Sequence, residues 1–264
     1  MKNCLSNRKF ENLLFVDVQI QGREATALFD TGAGMSVIAR SLLDALDGVQ
    51  KSEALSAGNN NGLVRTLPTA VILSVQIGDV RLDFLRVIVM ADADFAFSDD
   101  NGRKFPARML LGWDVISRYC WQYSARKQTL FAAESQGAAA ASEHDSKQGP
   151  VVFPQYAGRP FKARVDTGHT GSVLSAAWHT RIPDIERHET ENVGIGSVQH
   201  ASTPYVKDLP IMFQGQVIHL RNADICGQIY GQPDDIEALL GYDFLEGRDW
   251  MLDREFQLPG PAEQ

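Results

Sequence analysis

Apolar and polar residues alternate along two stretches of the chain, residues 13–30 and 151–166. The first stretch turns at Gly22 and the second near Gly158. Alternation with a period of two is typical of β-strands, and a glycine between two such runs favours a tight turn. Each stretch is therefore predicted to form an antiparallel hairpin that ends at an aspartate.

Most of the remaining pattern is also β. Residues 69–90 and 209–226 alternate on either side of a glycine-containing turn. Helical periodicity is limited to residues 35–46 and to short segments after Gly112 and Gly241. The pattern predicts a mostly β protein with few, short helices.

Two motifs occur twice and in the same order. LFDTGAGMSVIA at 28–39 is matched by RVDTGHTGSVLS at 164–175, and MLLGWDVISRYCW at 109–121 is matched by ALLGYDFLEGRDW at 238–250. The first pair lies 136 positions apart and the second 129, so the spacings differ by the length of a loop. These two pairs indicate a tandem duplication.

Between the two copies, residues 132–150 lose the apolar periodicity and are rich in Ala, Ser and Gly. Such a composition suits a linker. We therefore predict a first lobe at 1–131, a linker at 132–150 and a second lobe at 151–264.

Charge and hydropathy limit the partners. The 264-residue chain has a formal net charge of −8 and no long basic block, which argues against nucleic acid or an anionic membrane surface as a partner. No stretch suits a membrane span, and the first twenty residues lack the apolar core of a signal peptide. A cytoplasmic location is therefore expected.

Cysteine and histidine spacing does not favour a metal site. Cys4, Cys120 and Cys226 are far apart and form no Cys-x-x-Cys pair, so free thiols are expected. The six histidines lack the spacing of metal ligands. We predict neither a metal nor another cofactor.

The repeated Asp-Thr-Gly tripeptide carries the candidate chemistry. A carboxylate at the end of an apolar strand is costly to bury unless hydrogen bonds or a function hold it there. If the two loops meet, Asp30 and Asp166 share one proton, because two adjacent carboxyl groups cannot both ionise easily. Such a pair can activate a water for hydrolysis by general acid–base catalysis.

The pattern apolar-apolar-Asp-Thr-Gly-Ala-x-x-Ser-Val, followed downstream by apolar-apolar-Gly, resembles the aspartic peptidases, and the retropepsins in particular. The resemblance covers nearly the whole chain outside the linker. It implies a bilobal aspartic-protease fold, with two similar closed β-barrel-like lobes fused in one chain and a cleft between them. It also implies an endopeptidase that acts on peptide or protein substrates, here as a monomer.

The resemblance assigns roles to the matching residues. Asp30 and Asp166 would be the catalytic pair, one from each lobe. The residues that support them in the active-site loops would be Thr31, Gly32, Ala33, Thr167, Gly168 and His169.

The residue after Asp-Thr-Gly differs between the two loops: it is Ala33 in the first and His169 in the second. Ala33 has no hydroxyl to hydrogen-bond the carboxylate, which predicts a pair of aspartates that works at a less acid pH. His169 stands where Ala, Ser or Thr is usual in the family. A protonated ring pointing inward would favour the ionised pair, whereas a ring pointing to solvent would have no effect. The sequence leaves both orientations open.

The family also implies hairpin flaps that close over bound substrate. Residues 192–202 resemble such a flap, and residues 55–65 occupy the matching place in the first half. The predicted flap residues are Gly58, Asn59, Asn60, Gly62, Gly194, Ile195 and Gly196.

Three functions are compatible with these features. The first is an aspartic endopeptidase. The second is a catalytically inactive peptide-binding module on the same fold, which a blocked water site at His169 would favour. The third is hydrolysis of a small substrate by the same aspartates, which an open cleft with two flaps disfavours.

Overall fold

The computed structural model consists of two β-rich lobes that share a sheet. It describes residues 2–5, 10, 12–58, 62–99, 101–134, 149–194, 197–227, 229, 235–253 and 255–259.

The first half of the chain forms ten strands. They are β1 (Lys2–Asn3), β2 (Phe15–Ile20), β3 (Arg23–Phe29), β4 (Val37–Ala39), β5 (Gln50–Gly58), β6 (Val64–Ile77), β7 (Val80–Met90), β8 (Met109–Leu111), β9 (Tyr119–Ser124) and β10 (Thr129–Glu134).

The second half forms eleven. They are β11 (Val151–Val152), β12 (Gln155–Tyr156), β13 (Arg159–Pro160), β14 (Ala163–Val165), β15 (Val173–Ser175), β16 (Glu186–Gly194), β17 (Ser197–Phe213), β18 (Gln216–Cys226), β19 (Ala238–Leu240), β20 (Trp250–Leu252) and β21 (Phe256–Gln257).

The helix predicted within residues 35–46 is shorter in the structure, because Val37–Ala39 form strand β4 and pair with β7 and β8. All the helices are short. They are α1 (Arg40–Asp44), α2 (Trp113–Ile116) and α3 (Tyr242–Leu245), with 3-10 turns at Asp92–Phe95 and Ala176–Thr180. Across the described part of the chain, no helix has the length and apolar character needed to cross a membrane.

The first lobe is a closed barrel. Its strands follow the order β2-β3-β8-β4-β7-β6, and pairing of β6 with β2 closes the ring, with β5 added at the outer edge of β6. Two pairs, β3 with β8 and β4 with β7, are parallel. Alternation along β3 places Ala27 and Phe29 in the main core and Leu28 on the opposite face.

The second lobe repeats these pairings in a more open form. Strand β14 runs parallel to β19, and β15 runs parallel to β18, as in the first lobe. The sheet curls without the same closure, because the strand equivalent to β2 is divided into β11 and β12. Pro154 lies at the break, where it cannot donate a hydrogen bond to a neighbouring strand. The prediction of a mostly β, bilobal fold is confirmed, with this difference in the second lobe.

A five-stranded sheet joins the lobes. Its order is β1-β10-β9-β20-β21, so three strands of the first half and two of the second form one hydrogen-bonded layer that is joined between β9 and β20. Trp250 pairs with Tyr123 across the boundary, and the two rings stack with centroids 5.4 Å apart. Trp250 also packs against Phe29, the residue before Asp30. The lobes therefore share part of their core directly behind the aspartate loops.

The predicted linker begins inside this sheet. Strand β10 extends to Glu134, so residues 132–134 belong to a strand. Residues 135–148 lie outside the described part of the chain, and β11 begins at Val151. The division into 1–131, 132–150 and 151–264 stays a prediction.

Truncation of Trp250 tests the shared core. Because this side chain is 2% exposed, we expect Trp250→Ala to lower the free energy of unfolding by about 3–5 kcal/mol. Urea denaturation followed by circular dichroism measures the change. Phe153→Ala is the control, since Phe153 is 63% exposed and its loss should cost less than about 0.5 kcal/mol. Similar losses in both variants would contradict the arrangement.

Candidate active site

Both aspartates stand at the end of a buried strand. Asp30 follows β3 and its backbone N–H donates to the carbonyl of Leu111 on β8 (3.0 Å). Asp166 follows β14 and donates in the same way to Leu240 on β19 (2.9 Å). Each downstream apolar-apolar-Gly motif thus supplies the strand that positions the aspartate of its own lobe.

Threonine hydroxyls hold the two loops together across the lobe boundary. The Thr31 hydroxyl donates to the Val165 carbonyl (2.7 Å) and accepts from the Thr167 N–H (3.0 Å). The Thr167 hydroxyl donates to the Phe29 carbonyl (2.7 Å) and accepts from the Thr31 N–H (3.1 Å). Both threonines are buried. Each lobe therefore satisfies buried backbone groups of the other.

The two glycines of the Asp-Thr-Gly motifs let the carboxylates approach each other. A Cβ atom on Gly32 would overlap the carboxylate of Asp166, and one on Gly168 would overlap the carboxylate of Asp30. Any side chain at either position would have to displace the opposite aspartate. These positions require glycine because a Cβ does not fit there, and not because the backbone is left-handed.

The Asp30 carboxyl has a strongly perturbed pKa. Burial raises its pKa well above the usual value, and the nearby charge of Asp166 and a hydrogen bond with that residue raise it further. Backbone N–H groups of Gly32 (2.9 Å) and Ala33 (3.0 Å) donate to Asp30 Oδ1 and oppose the shift. In the second loop, Gly168 donates to Asp166 Oδ1 (2.9 Å). The pair thus has the geometry to retain a proton at a pH where isolated aspartates ionise.

A second layer of polar residues supports each loop. In the first lobe the Ser36 hydroxyl donates to Asp114 (2.8 Å) and accepts from the Gly112 N–H (3.1 Å). Burial raises the pKa of Asp114, although the hydrogen bond from Ser36 opposes the shift. The second lobe repeats the arrangement with Ser172, Asp243 and Gly241.

Sequence analysis did not assign a role to these serine–aspartate pairs. The signal was nevertheless present, because Ser36 and Ser172 occupy matched positions after Asp-Thr-Gly. Asp114 and Asp243 likewise occupy matched positions after apolar-apolar-Gly. Their contact joins motifs that are far apart in the chain, so only the fold brings them together.

The downstream glycines are also packed against the loops. A Cβ on Gly112 would lie 2.5 Å from the carbonyl carbon of Met35 and 2.9 Å from the carbonyl oxygen of Ala33. Gly241 is packed equally closely against Gly171 and His169. The loops are therefore supported from behind by backbone contacts that a side chain would disrupt.

His169 binds to its own loop. Its Nδ1 lies 2.6 Å from the carbonyl oxygen of Gly171, so this nitrogen carries the hydrogen in the contact. The His169 carbonyl accepts a hydrogen bond from the Tyr242 N–H (2.9 Å), as the Ala33 carbonyl does from Trp113 (2.7 Å). The loop therefore keeps this backbone hydrogen bond although His169 stands in place of Ala33.

The predicted flaps lie on two long hairpins. Gly58 ends β5 and Gly62 precedes β6 in the first lobe, whereas Gly194 ends β16 in the second. Asn59, Asn60, Ile195 and Gly196 lie outside the described residues. The first hairpin is also connected to the rest of its lobe, since Arg65 forms an ion pair with Asp94 (3.3 Å).

Comparison with known proteins finds a family match over the first lobe. Residues 16–118 match the family described as gag-polyprotein putative aspartyl protease. This segment contains Asp30 and most of the first barrel, and it is similar to retropepsin-like aspartyl proteases. No curated protein matches the chain. The second lobe is related to the first by its repeated motifs and strand pairings.

The described residues contain no group of three or more His, Cys, Asp or Glu side chains arranged to hold a metal ion. Cys4 is buried, and Cys120 and Cys226 are half-buried; all three are free thiols.

Substitution of Gly168 tests the close approach of the loops. Because an added Cβ would overlap the Asp30 carboxylate, we expect Gly168→Ala to lower the free energy of unfolding by about 1–3 kcal/mol. Gly171→Ala is the matched control, since no atom lies within 4 Å of a Cβ built there and its effect should stay within about 0.5 kcal/mol. Urea denaturation measures both, and equal effects would disprove the predicted overlap.

The pKa of Asp30 predicts a pH-dependent gain in stability for Asp30→Asn. A carboxyl whose pKa is raised by folding stabilises the protein below its unfolded pKa, and this contribution is lost as pH rises through the folded pKa. Removing the charge should therefore stabilise the protein more at pH 7 than at about pH 3.5. Denaturation of the variant and of the wild type across this range measures the difference. Asp184→Asn, at an exposed position, should show no such trend, and a flat difference for Asp30→Asn would contradict the shift.

Proposed function

We propose that the protein is an aspartic endopeptidase in which Asp30 and Asp166 together activate a water. The observation that carries this proposal is the crossing of the two aspartate loops, in which each glycine lies against the carboxylate of the other lobe. The family match supports an aspartyl protease lobe over residues 16–118. Hydrolysis of a peptide bond is the reaction that such a pair of carboxyl groups is suited to.

The proposed mechanism requires that the carboxyl groups of Asp30 and Asp166 share one proton. A water held between the carboxyl groups loses a proton to the ionised oxygen as it attacks the peptide carbonyl. The protonated partner donates to the developing oxyanion. The carboxyl group that took the proton from water then donates it to the amide nitrogen as the C–N bond breaks, and the other carboxylate regains a proton from a hydroxyl group of the tetrahedral intermediate, so no covalent enzyme intermediate is needed. The raised pKa of Asp30 favours a singly protonated pair at a pH where isolated aspartates ionise.

The supporting residues have separate tasks in this proposal. Thr31 and Thr167 hold the loops in register by their reciprocal hydrogen bonds. Gly32 and Gly168 provide room for the opposite carboxylate. Ala33 contributes a backbone N–H without a side-chain hydroxyl, which we expect to leave the pair active at a less acid pH.

We also propose that the enzyme acts as a monomer on peptide or protein substrates, without a cofactor. Support comes from the shared sheet, in which β9 of the first half pairs with β20 of the second. One chain therefore provides both aspartates. An extended peptide would lie between the lobes, where the hairpins β5–β6 and β16–β17 can close over it.

Substitution of each aspartate tests the reaction. We expect Asp30→Asn and Asp166→Asn each to reduce cleavage at least about a thousandfold, because neither carboxyl can hold and activate the water alone. The wild type and both variants would be incubated with a diverse peptide mixture from about pH 3.5 to about pH 8. Mass spectrometry would identify new termini.

Two controls decide the interpretation. Asp184→Asn should cleave as the wild type does, and circular dichroism should show that all variants are folded. Residual cleavage in either active-site variant would rule out a shared pair. A folded wild type that binds peptides at every pH and cleaves none would instead support the inactive peptide-binding module.

A further inference from the structure

The β5–β6 hairpin of the first lobe turns one half-buried face toward the rest of the protein. Leu55 of β5 pairs with Leu67 of β6, and Ala57 pairs with Arg65. Residues two positions apart on a strand point to the same side, so these four side chains share a face. All four are half-buried, whereas the residue between them on each strand is exposed. Another part of the lobe therefore covers this face.

An aromatic cluster provides the apolar part of that cover. Its members are five phenylalanines: Phe10, Phe15, Phe95, Phe97 and Phe105. Phe105 is its centre, because its ring lies beside those of the other four, with centroids between 4.4 and 6.5 Å apart. The apolar side chains of the hairpin face pack against the buried cluster to which these rings belong.

An ion pair adds a polar contact on the same face. Arg65 Nη1 lies 3.3 Å from Oδ1 of Asp94, which belongs to the 3-10 turn between β7 and β8. The other carboxylate oxygen of Asp94 accepts a hydrogen bond from the Ala91 N–H (3.1 Å). The hairpin is thus joined to the connection between β7 and β8 by apolar packing and by charge.

The aromatic cluster also reaches the loop of Asp30. Ala33 and Met35 pack against the same buried cluster, and the Ala33 N–H donates to Asp30 Oδ1 (3.0 Å). Phe15 lies on β2, which pairs along β3, the strand that leads to Asp30. One set of rings is therefore in contact with the hairpin on one side and with the aspartate loop on the other.

The β16–β17 hairpin of the second lobe is held differently. No described side chain within 186–191 or 200–205 belongs to a buried apolar cluster. The hairpin contacts β18 through a polar pair, since His188 Nε2 lies 2.7 Å from Asp224 Oδ1. Water can replace such a half-buried polar contact at little cost. Separating the β5–β6 hairpin from its cluster would instead expose apolar surface.

We propose that Phe105 is a positioning residue, which through the aromatic cluster fixes the β5–β6 hairpin to the Asp30 loop, so that the β16–β17 hairpin is the one that opens. This inference rests on the proposed function and deepens it by giving the two hairpins different tasks. The first hairpin is a fixed wall beside the aspartates. The second is the lid that admits an extended peptide and releases its products.

Hydrogen exchange of the wild type tests the difference between the hairpins. Exchange by local opening is slow where buried apolar contacts must separate and fast where only polar contacts break. After correction for intrinsic rates, we expect amides of 50–58 and 64–72 to exchange at least about tenfold more slowly than those of 186–194 and 197–205. Mass spectrometry of peptic fragments measures the rates. Equal rates, or faster exchange in the first hairpin, would overturn the inference.

Substitutions of Phe105 test its role in holding the first hairpin. We expect Phe105→Leu to accelerate exchange in the β5–β6 hairpin about three- to tenfold, and Phe105→Ala to accelerate it further, while the β16–β17 hairpin is unchanged. Arg65→Gln removes the ion pair and leaves the aromatic cluster intact, so it provides the test if Phe105→Ala does not fold. It should accelerate exchange in the same hairpin to a smaller extent.

Phe161→Ala is the matched control. Phe161 is also buried, and it packs against Trp178 in the second lobe with ring centroids 4.9 Å apart. Its loss should leave exchange in the β5–β6 hairpin unchanged. Equal acceleration of both hairpins by Phe105→Leu, or the same acceleration of the first hairpin by Phe161→Ala, would indicate a general loss of stability and overturn the role of Phe105.

Peptide cleavage gives a second readout. We expect Phe105→Leu to raise KM about three- to tenfold, because a loosened hairpin must be ordered when the substrate binds, and to change kcat per folded molecule less than about twofold. A residue that acts only through overall stability would lower the folded fraction and leave KM unchanged. The expected exchange pattern in a protein that cleaves nothing would uphold the fixed hairpin and overturn the peptidase. Cleavage by a protein whose hairpins exchange alike would do the reverse.

Discussion

The reciprocal hydrogen bonds of Thr31 and Thr167 are the contact on which the rest of the site depends. Each hydroxyl satisfies a backbone carbonyl and a backbone N–H of the opposite lobe, in an environment where an unpaired polar group is costly. The contact exists only when both lobes are in place. The shared sheet maintains that arrangement, because Trp250 of the second half packs against Phe29 at the base of the first aspartate loop.

Holding two carboxyl groups this close is unfavourable, and the surrounding structure offsets the cost. Backbone N–H groups donate to Asp30 and Asp166, and the serine–aspartate pairs behind the loops fix the backbone from which these donors project. Glycines occupy the positions where any side chain would push the loops apart. The same crowding that raises the pKa of Asp30 prepares the pair to hold a single proton.

Because the two related lobes belong to one chain, their sequences can differ, whereas the two subunits of a homodimer have the same sequence. The parts that must be symmetrical, the aspartate loops and their supports, are nearly the same in both halves. Other parts of the two lobes have diverged. Leu28 and Arg164 differ in charge, and the connection before β8 is longer than the one before β19. The β5–β6 hairpin contacts that longer connection through Arg65 and Asp94, so the two lobes differ in shape on this side.

The sequence by itself determined the duplication, the mostly β lobes and the two aspartates, because these depend on local alternation and on short motifs repeated in order. The break in the second barrel was also present locally, in Pro154, although its effect on closure depends on strand pairing. Tertiary structure alone decided which residues meet. The bond between Ser36 and Asp114 joins positions 78 residues apart, and the bond between the Thr31 N–H and the Thr167 hydroxyl joins positions 136 residues apart. Such contacts have no local signal, since they form only after the strands have paired and the lobes have joined.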